Sequence, residues 1–333
     1  MNAATRRSWI LNVIALAALS AVFLIPIQTG AVNPYIVGLL ITVMINIIMA
    51  TSLNLVCGLL GYLALGHSAF MGVGAYAAAL VSIHLKVPLS FPLALLTGGV
   101  AAAITGVIIG VPALRLRGDY LAIITLGFGE IVRIIMNNLQ IIGGARSLRG
   151  IPRITTAPAA YIVVVICVAL MFTLGRSRHG RAILSIREDE VAATSSGIPA
   201  TYYKILAFTL AAFFAGIAGG LYAHYMGVLS PNRFNFDRSI EYLVMVVLGG
   251  MGSITGAIIA ATVLTLLPEV LRGLSSYRML IYSLALILMM LFRPEGLLGT
   301  AEYSFAGMGR WFKKITKRTD RTGKDGGRVS GGA

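Results

Sequence analysis

The 333-residue chain is short of acidic side chains: it has 12 Asp and Glu against 27 Lys and Arg, which gives a formal net charge of +15. A positive balance of this size occurs in proteins that bind nucleic acids. Here, however, the basic residues flank long apolar runs, as they do in membrane proteins, where Lys and Arg set the orientation of the spans. The charge therefore indicates a membrane protein, and we expect no nucleic-acid partner.

The sequence also has few of the residues that catalytic and metal sites use. The only two cysteines, Cys57 and Cys167, both lie in apolar runs and offer neither a disulfide framework nor a metal-ligand spacing. The H-E-x-x-H pattern of zinc peptidases and the G-x-x-x-x-G-K-S/T pattern of phosphate-binding loops are both absent. Adjoining spans carry no Ser/His or paired-Asp signature. We therefore expect that the chain is not an enzyme, binds no metal or cofactor, and does not hydrolyse ATP by a phosphate-binding loop.

Long apolar runs make up most of the rest of the chain, in which 57% of the residues are hydrophobic. Runs of about twenty such residues are typical of transmembrane helices. The sequence predicts an all-α polytopic membrane protein with about ten spans, some of them discontinuous, and with both termini cytoplasmic. The predicted spans are residues 9–27, 35–57, 67–85, 88–112, 120–140, 159–174, 205–226, 240–248, 254–271 and 279–292. We assign residues 1–308 to the transmembrane domain and 309–333 to a basic, disordered cytoplasmic tail.

A charged loop at residues 175–204 lies between the sixth and seventh predicted spans. It carries four arginines as well as three consecutive acidic residues, Glu188, Asp189 and Glu190. A segment with this charge cannot lie in hydrocarbon, and its basic excess indicates the cytoplasmic side. The acidic residues favour a helix start, and Gly197 with the proline that follows it favours a helix end. The sequence thus predicts a short cytoplasmic helix at about residues 187–197, where a soluble partner can push it.

Glycine-rich stretches interrupt the apolar runs in both halves of the chain. Broken backbone at membrane depth is tolerated only inside protein or beside a cavity, and discontinuous elements recur in transport pathways. These interruptions therefore indicate a pathway lining, and close helix packing is the alternative interpretation. His67 follows one of the interruptions and is a candidate for the same pathway; the alternative is a hydrogen-bonded histidine of the protein interior. The loop at residues 229–242 is expected to lie outside. The candidate pathway residues are Gly61, Gly66, His67, Gly72, Gly249, Gly250 and Gly252.

Two ionisable residues lie inside the predicted fifth span. Glu130 and Arg133 are three residues apart, which places both on one helix face, where they can pair. Ionisable groups inside a membrane are functional candidates by default. A structural ion pair near the interface is the competing interpretation.

Several stretches together resemble the M-type permease subunit of branched-chain amino-acid ABC importers. They are GYLALGHSAFMGVGAY, RGDYLAIITLGFGEIVR, GRAILSIREDEVAATSSGI, VVLGGMGSITGAIIAA and FRPEGLLG, and the resemblance runs from about residue 39 to 299. Within the charged loop, EDEVAATSSGI looks like the E-A-A…G coupling motif of importer permeases, with the spacing shifted by one at Val191. The residues that the resemblance assigns to an ATPase-coupling loop are Arg187, Glu188, Asp189, Glu190, Ala192, Ala193, Gly197 and Ile198.

The resemblance implies a set of partners in the bacterial inner membrane. They are an H-type permease that forms the other half of the pore, two cytoplasmic ABC ATPases that use ATP and Mg²⁺, and a periplasmic or lipid-anchored substrate-binding protein. The implied cargo is a branched-chain or related small amino acid, and urea or short amides are carried by similar permeases. A different class, an ion-coupled secondary transporter, remains open. Its candidate relay groups are His67, Glu130, Arg133, His224 and Glu241.

Overall fold

The computed structural model describes residues 33–84, 90–114, 116, 119–274 and the isolated positions 283, 284, 287, 291, 296 and 299. The predicted first span and the basic tail at 309–333 lie outside the described residues, as does most of the predicted tenth span.

Ten α-helices follow one another along the described part of the chain, with bounds close to those predicted from the apolar runs. They are α1 (Pro34–Asn54), α2 (His67–His84), α3 (Ser90–Ala113), α4 (Asp119–Asn138), α5 (Ala157–Arg176), α6 (Arg178–Glu188), α7 (Glu190–Ser195), α8 (Ala200–Met226), α9 (Phe236–Gly249) and α10 (Ile254–Val270). Two short strands, β1 (Leu148–Arg149) and β2 (Val228–Leu229), pair antiparallel. The described chain thus has the all-α architecture that the sequence predicts.

Five stretches of helix in the described residues are long and apolar enough to cross a membrane. They are Pro34–Leu60, Phe91–Ala113, Tyr120–Asn138, Ala157–Arg176 and Ala200–Met226. Helix α10 is apolar but shorter. The outer faces of these helices expose large aliphatic side chains, among them Ile108 and Ile123, as contact with lipid requires. The protein is therefore a polytopic membrane protein.

Glycines bring three helices of the core into close contact. Gly74 of α2, Gly98 of α3 and Gly216 of α8 lie where these helices meet, and a Cβ on Gly74 would overlap the backbone of Gly216. A Cβ on Gly216 would come within 2.5 Å of the Gly98 carbonyl oxygen. Lipid provides no hydrophobic force between helices, so close packing at small residues contributes directly to their association.

The two ends of the helical bundle are marked by different segments. The charged loop follows α5 and precedes α8, and it folds into α6 and α7 at what we call the loop end. The strand pair β1–β2 follows α4 and α8, and it marks the opposite end, which we call the strand end.

Candidate coupling and translocation site

The chain leaves its helical path at both of the glycine interruptions predicted from the sequence. Helix α1 continues into a π-helical turn, Leu55–Leu60, which ends at Gly61 with a φ of +80°. Between α9 and α10, Gly250 and Gly252 have φ values of +104° and +100°. Side chains with a Cβ rarely adopt this left-handed region, so glycine allows both changes of direction.

The two interruptions are in direct contact at the loop end of the bundle. The Asn54 side chain accepts a 2.9 Å hydrogen bond from the backbone nitrogen of Gly252, which is 198 residues away in the sequence. A Cβ on Gly58 would overlap the Gly252 backbone. Glycine at both positions and one buried amide therefore hold together the interrupted elements of the two halves.

Arg187 is the side chain that joins the charged loop to both interruptions. Its Nη1 donates a 2.5 Å hydrogen bond to the carbonyl oxygen of Gly58. A Cβ built on Gly61 would lie 2.9 Å from the Arg187 Cγ, and one built on Gly252 would lie 3.4 Å from its Nη1. Because guanidinium is planar and permanently charged, one side chain can hold the last turn of α6 against both breaks.

An ion pair fastens α7 to the first turns of α8. Lys204 Nζ lies 2.7 Å from the Glu190 carboxylate, and the Lys204 side chain is 6% exposed while that of Glu190 is 27% exposed. The same ammonium lies 5.1 Å from the ring centroid of Tyr62, a distance at which a cation is attracted to an aromatic face. Since Tyr62 follows Gly61 directly, α7 is connected to the same interruption as Arg187.

The predicted coupling helix at residues 187–197 is in fact divided between two helices. Helix α6 ends at Glu188, and Asp189 has extended backbone with φ −155° and ψ 109°. The Asp189 carboxylate accepts hydrogen bonds of 2.8 and 3.0 Å from the backbone nitrogens of Val191 and Ala192. An aspartate in this position caps a new helix, which explains why α7 begins at Glu190 and does not continue α6.

The end of this helix is where the sequence predicts it. Gly197 has a φ of +84°, and the backbone nitrogen of Ile198 bonds to the Ala193 carbonyl oxygen at 3.1 Å, as in a glycine-capped helix end. Ala193 is buried and Ile198 is half-buried, whereas Glu188, Asp189 and Ala192 are exposed. Val191 is 69% exposed, so α7 presents an apolar side chain outward among charged ones.

A second meeting point lies deeper in the bundle, where α2 and α9 begin. Ser68 Oγ donates hydrogen bonds to the carbonyl oxygens of Phe234 and Asn235, and the Ser68 backbone nitrogen donates to Ser239 Oγ. Ser68 lies about 24 Å along α2 from its end at His84, at 1.5 Å per residue. The predicted loop at residues 229–242 is therefore shorter than expected, because α9 begins at Phe236 and the residues just before it pack against the start of α2. Its position outside the membrane stays a prediction.

His67, also at the start of α2, is a buried histidine with a hydrogen-bond partner. The His67 Nε2 lies 2.9 Å from Ser52 Oγ, and His67 is 1% exposed. This geometry agrees with the interior-histidine interpretation. Its place on a transport pathway stays a prediction.

Three candidate pathway glycines lie at tight contacts between segments of the bundle. A Cβ on Gly66 would overlap the Thr125 carbonyl oxygen, one on Gly72 would lie 3.0 Å from the Phe234 ring, and one on Gly249 would meet the backbone of Gly256. Close packing accounts for these positions in the described conformation. Whether they also line a pathway stays a prediction.

Glu130 and Arg133 form the ion pair that their spacing predicts. Arg133 Nη2 lies 2.6 Å from Glu130 Oε2, and Nε donates to the same oxygen at 2.7 Å. Arg133 Nη1 also reaches Asn232 Oδ1 at 3.3 Å, so the pair contacts the segment that precedes α9. Helix α4 also exposes apolar side chains, namely Ile123, Ile131, Ile134 and Ile135.

Sequence reasoning missed several residues on which this arrangement depends. Asn54 is a polar residue in a span, but its partner Gly252 lies 198 residues away. Lys204 is a lysine near a span, and its spacing of 14 residues from Glu190 does not indicate that the two pair. The arginines Arg233 and Arg238 were assigned to an external loop. A local signal was present, since Asn235 accepts a 3.2 Å hydrogen bond from the Arg238 backbone nitrogen as a helix cap.

The fold and the site together define a class of protein. A bundle of apolar helices with two interrupted elements in contact, and with a charged segment that contacts both of them, is typical of a transport permease.

Comparison with known proteins gives the family. The family model described as "Branched-chain amino acid transport system / permease component" matches residues 35–292. The chain is 40% identical over 290 residues to the LivM permease protein of Salmonella typhimurium, covering 77% of this chain and 68% of the relative. It is 41% identical to LivM of Escherichia coli K12, with the same coverage, and 33% identical to the LivH permease protein of that organism over 45% of this chain and 49% of the relative. The chain belongs to this family of transport permeases. No solved structure gives a significant match.

Proposed function

We propose that this chain is the M-type permease subunit of an ATP-driven importer for branched-chain amino acids in the bacterial inner membrane. The LivM relatives carry the name of a high-affinity branched-chain amino acid transport system, and the LivH match supports a second, H-type permease as the other half of the pore. The charged loop faces the cytoplasm in this proposal, as its basic excess favours.

The contact of Arg187 with both interruptions carries the proposal. ATP binding draws two ATPase subunits together, and each coupling segment, here α6 and α7, moves with the ATPase on which it lies. Arg187 and the Glu190–Lys204 pair pass that displacement to Gly58, Gly61 and Gly252. Only a difference in contact free energy between two states can shift their balance. We expect the two states to differ at the interrupted elements that Arg187 contacts.

The exposed surface of α7 fits a docking role. Val191 and Ala192 of α7 are exposed, as are the acidic residues Glu188 and Asp189 just before it, so a groove on an ATPase can take an apolar contact surrounded by polar ones. At the strand end, Arg149 and Arg153 belong to a basic loop on the side where a substrate-binding protein would deliver its cargo.

Uptake by the assembled importer in proteoliposomes tests the proposal. The chain is combined with the permease, ATPases and binding protein encoded with it, and accumulation of labelled leucine is followed. Uptake should require ATP and all subunits, and should persist when the proton gradient is dissipated.

Uptake that survives without the ATPases but collapses with the proton gradient would support an ion-coupled transporter. Competition by urea or short amides, with none by leucine, isoleucine or valine, would support the other cargo class.

A further inference from the structure

A small cavity lies between α1, α8, α9 and the turn Pro231–Arg233. Its volume is about 30 Å³, which is room for a group the size of about two water molecules. Its polar lining consists of Thr42, Asn46, Tyr222, Arg233, Arg238 and Tyr242. We call it the arginine cavity.

The charge in the arginine cavity is of one sign. Its two charged lining residues are both arginines. Arg238 is paired with Glu241 at 2.6 Å, whereas the Arg233 side chain has no hydrogen bond or ion pair with any described residue. Neither Glu241 nor Asp237 is among the lining residues. The cavity is therefore suited to an anionic group.

Arg233 lies where the segment before α9 meets α2. It lines the cavity together with Met71 of α2, and its neighbour Phe234 accepts a hydrogen bond from Ser68 near the start of that helix. Arg233 is exposed. Because a charged side chain is too costly to face lipid, an exposed arginine is expected to face water, and the cavity that it lines is then reachable by a solute.

We propose that the arginine cavity binds the carboxylate group of the transported amino acid, with Arg233 as its main contact. This inference rests on the proposed function, because it takes an amino acid as the cargo. A guanidinium offers two parallel donors to a carboxylate, and the cavity has the size of that group but not of a whole leucine. Ile45 and Phe234, which also line it, provide apolar contact where the aliphatic side chain would begin.

Accessibility of a cysteine in the cavity tests this directly. Thr42→Cys is introduced into the assembled importer, whose own Cys57 and Cys167 in this chain are buried. Labelling by negatively and positively charged methanethiosulfonate reagents is then timed. Two arginines should make the anionic reagent react about tenfold faster than the cationic one. Arg233→Gln should remove most of this preference, and the matched change Arg272→Gln, at a paired and exposed arginine, should leave it intact.

Ligand protection identifies the group that binds. Leucine and 4-methylpentanoate, which both carry a carboxylate, should slow the labelling, whereas leucinamide, which lacks it, should not. Arg233→Gln should weaken the protection about ten- to a hundredfold, as loss of a hydrogen bond between charged groups predicts. Arg233→Lys should restore part of it.

Three results overturn the inference: an unreactive Thr42→Cys, equal protection by leucine and leucinamide, or a reagent preference that Arg233→Gln does not change. Leucine uptake by the unmodified importer is measured alongside. If that importer takes up no branched-chain amino acid, the proposed function fails. If it does, but the labelling results are as just described, only the carboxylate site fails.

Discussion

Replacing Arg187 by methionine keeps the length and apolar stem of the side chain but removes the guanidinium that joins α6 to the interrupted elements. The lost interaction is a 2.5 Å hydrogen bond from a charged group to the Gly58 carbonyl oxygen, worth about 2 kcal/mol. If the hydrogen bond is present in one state of the transporter and absent in the other, its loss changes the equilibrium constant between the two states by about thirtyfold. Arg187→Lys retains the charge without the planar fork, so its effect should be intermediate.

The assay is leucine transported per ATP hydrolysed by the reconstituted importer. Arg187→Met should lower this ratio by up to about thirtyfold, while ATP hydrolysis continues. Arg181→Met is the matched control, because Arg181 lies on the same helix and its side chain donates, within the described residues, to the nearby Arg176 carbonyl oxygen at 3.0 Å. The reasoning is refuted if both variants lower the ratio equally, or if Arg187→Met leaves it unchanged.

Three further changes test other parts of the structure. Gly197→Val places a branched side chain at a φ of +84°. The variant should insert into the membrane normally but hydrolyse ATP without transport. Unchanged uptake would count against a coupling role for Gly197. Glu190→Gln leaves the ammonium of Lys204 buried without its carboxylate partner. This should lower the free energy of unfolding in detergent by about 2 kcal/mol, which is less than the loss for a fully buried pair. Adding Lys204→Met should recover part of that loss, and a double variant that recovers none would contradict the pairing. The Gly216→Val side chain would overlap backbone where α2, α3 and α8 meet, so folded protein should not be recovered. Gly127 has open space around it, so Gly127→Val should be tolerated. Equal yields of folded protein from the two variants would contradict this packing.

The sequence predicts the helices well because each depends on its own composition. Apolar runs fix the spans to within a few residues, and glycines mark where the backbone departs from a helix, as at Gly61 and Gly250. What the sequence does not reveal is which distant segments meet. Nothing near Asn54 indicates that it binds the Gly252 backbone, 198 residues away.

The same limit applies to the predicted loop at residues 229–242, part of which belongs to α9. A polar stretch with mixed charges is typical of an external loop, and its composition favours water. Its packing, however, depends on Ser68, whose hydroxyl and backbone nitrogen bind Phe234, Asn235 and Ser239. Similarly, the helix break at Asp189 follows from a cap formed by its own side chain, and a cap and a continuing helix have nearly the same local sequence.

The most direct test of the account is to ask what touches α7. A photo-crosslinking side chain is placed at Val191, which is 69% exposed on α7, and, as the matched control, at Val228, which is 44% exposed at the strand end. In membranes that contain the complete importer, Val191 should crosslink to an ATPase subunit with a yield that changes when ATP is bound, and Val228 should not. Crosslinking of Val191 to the substrate-binding protein, or of Val228 to an ATPase, would contradict the claim that this segment transmits the movement of the ATPases.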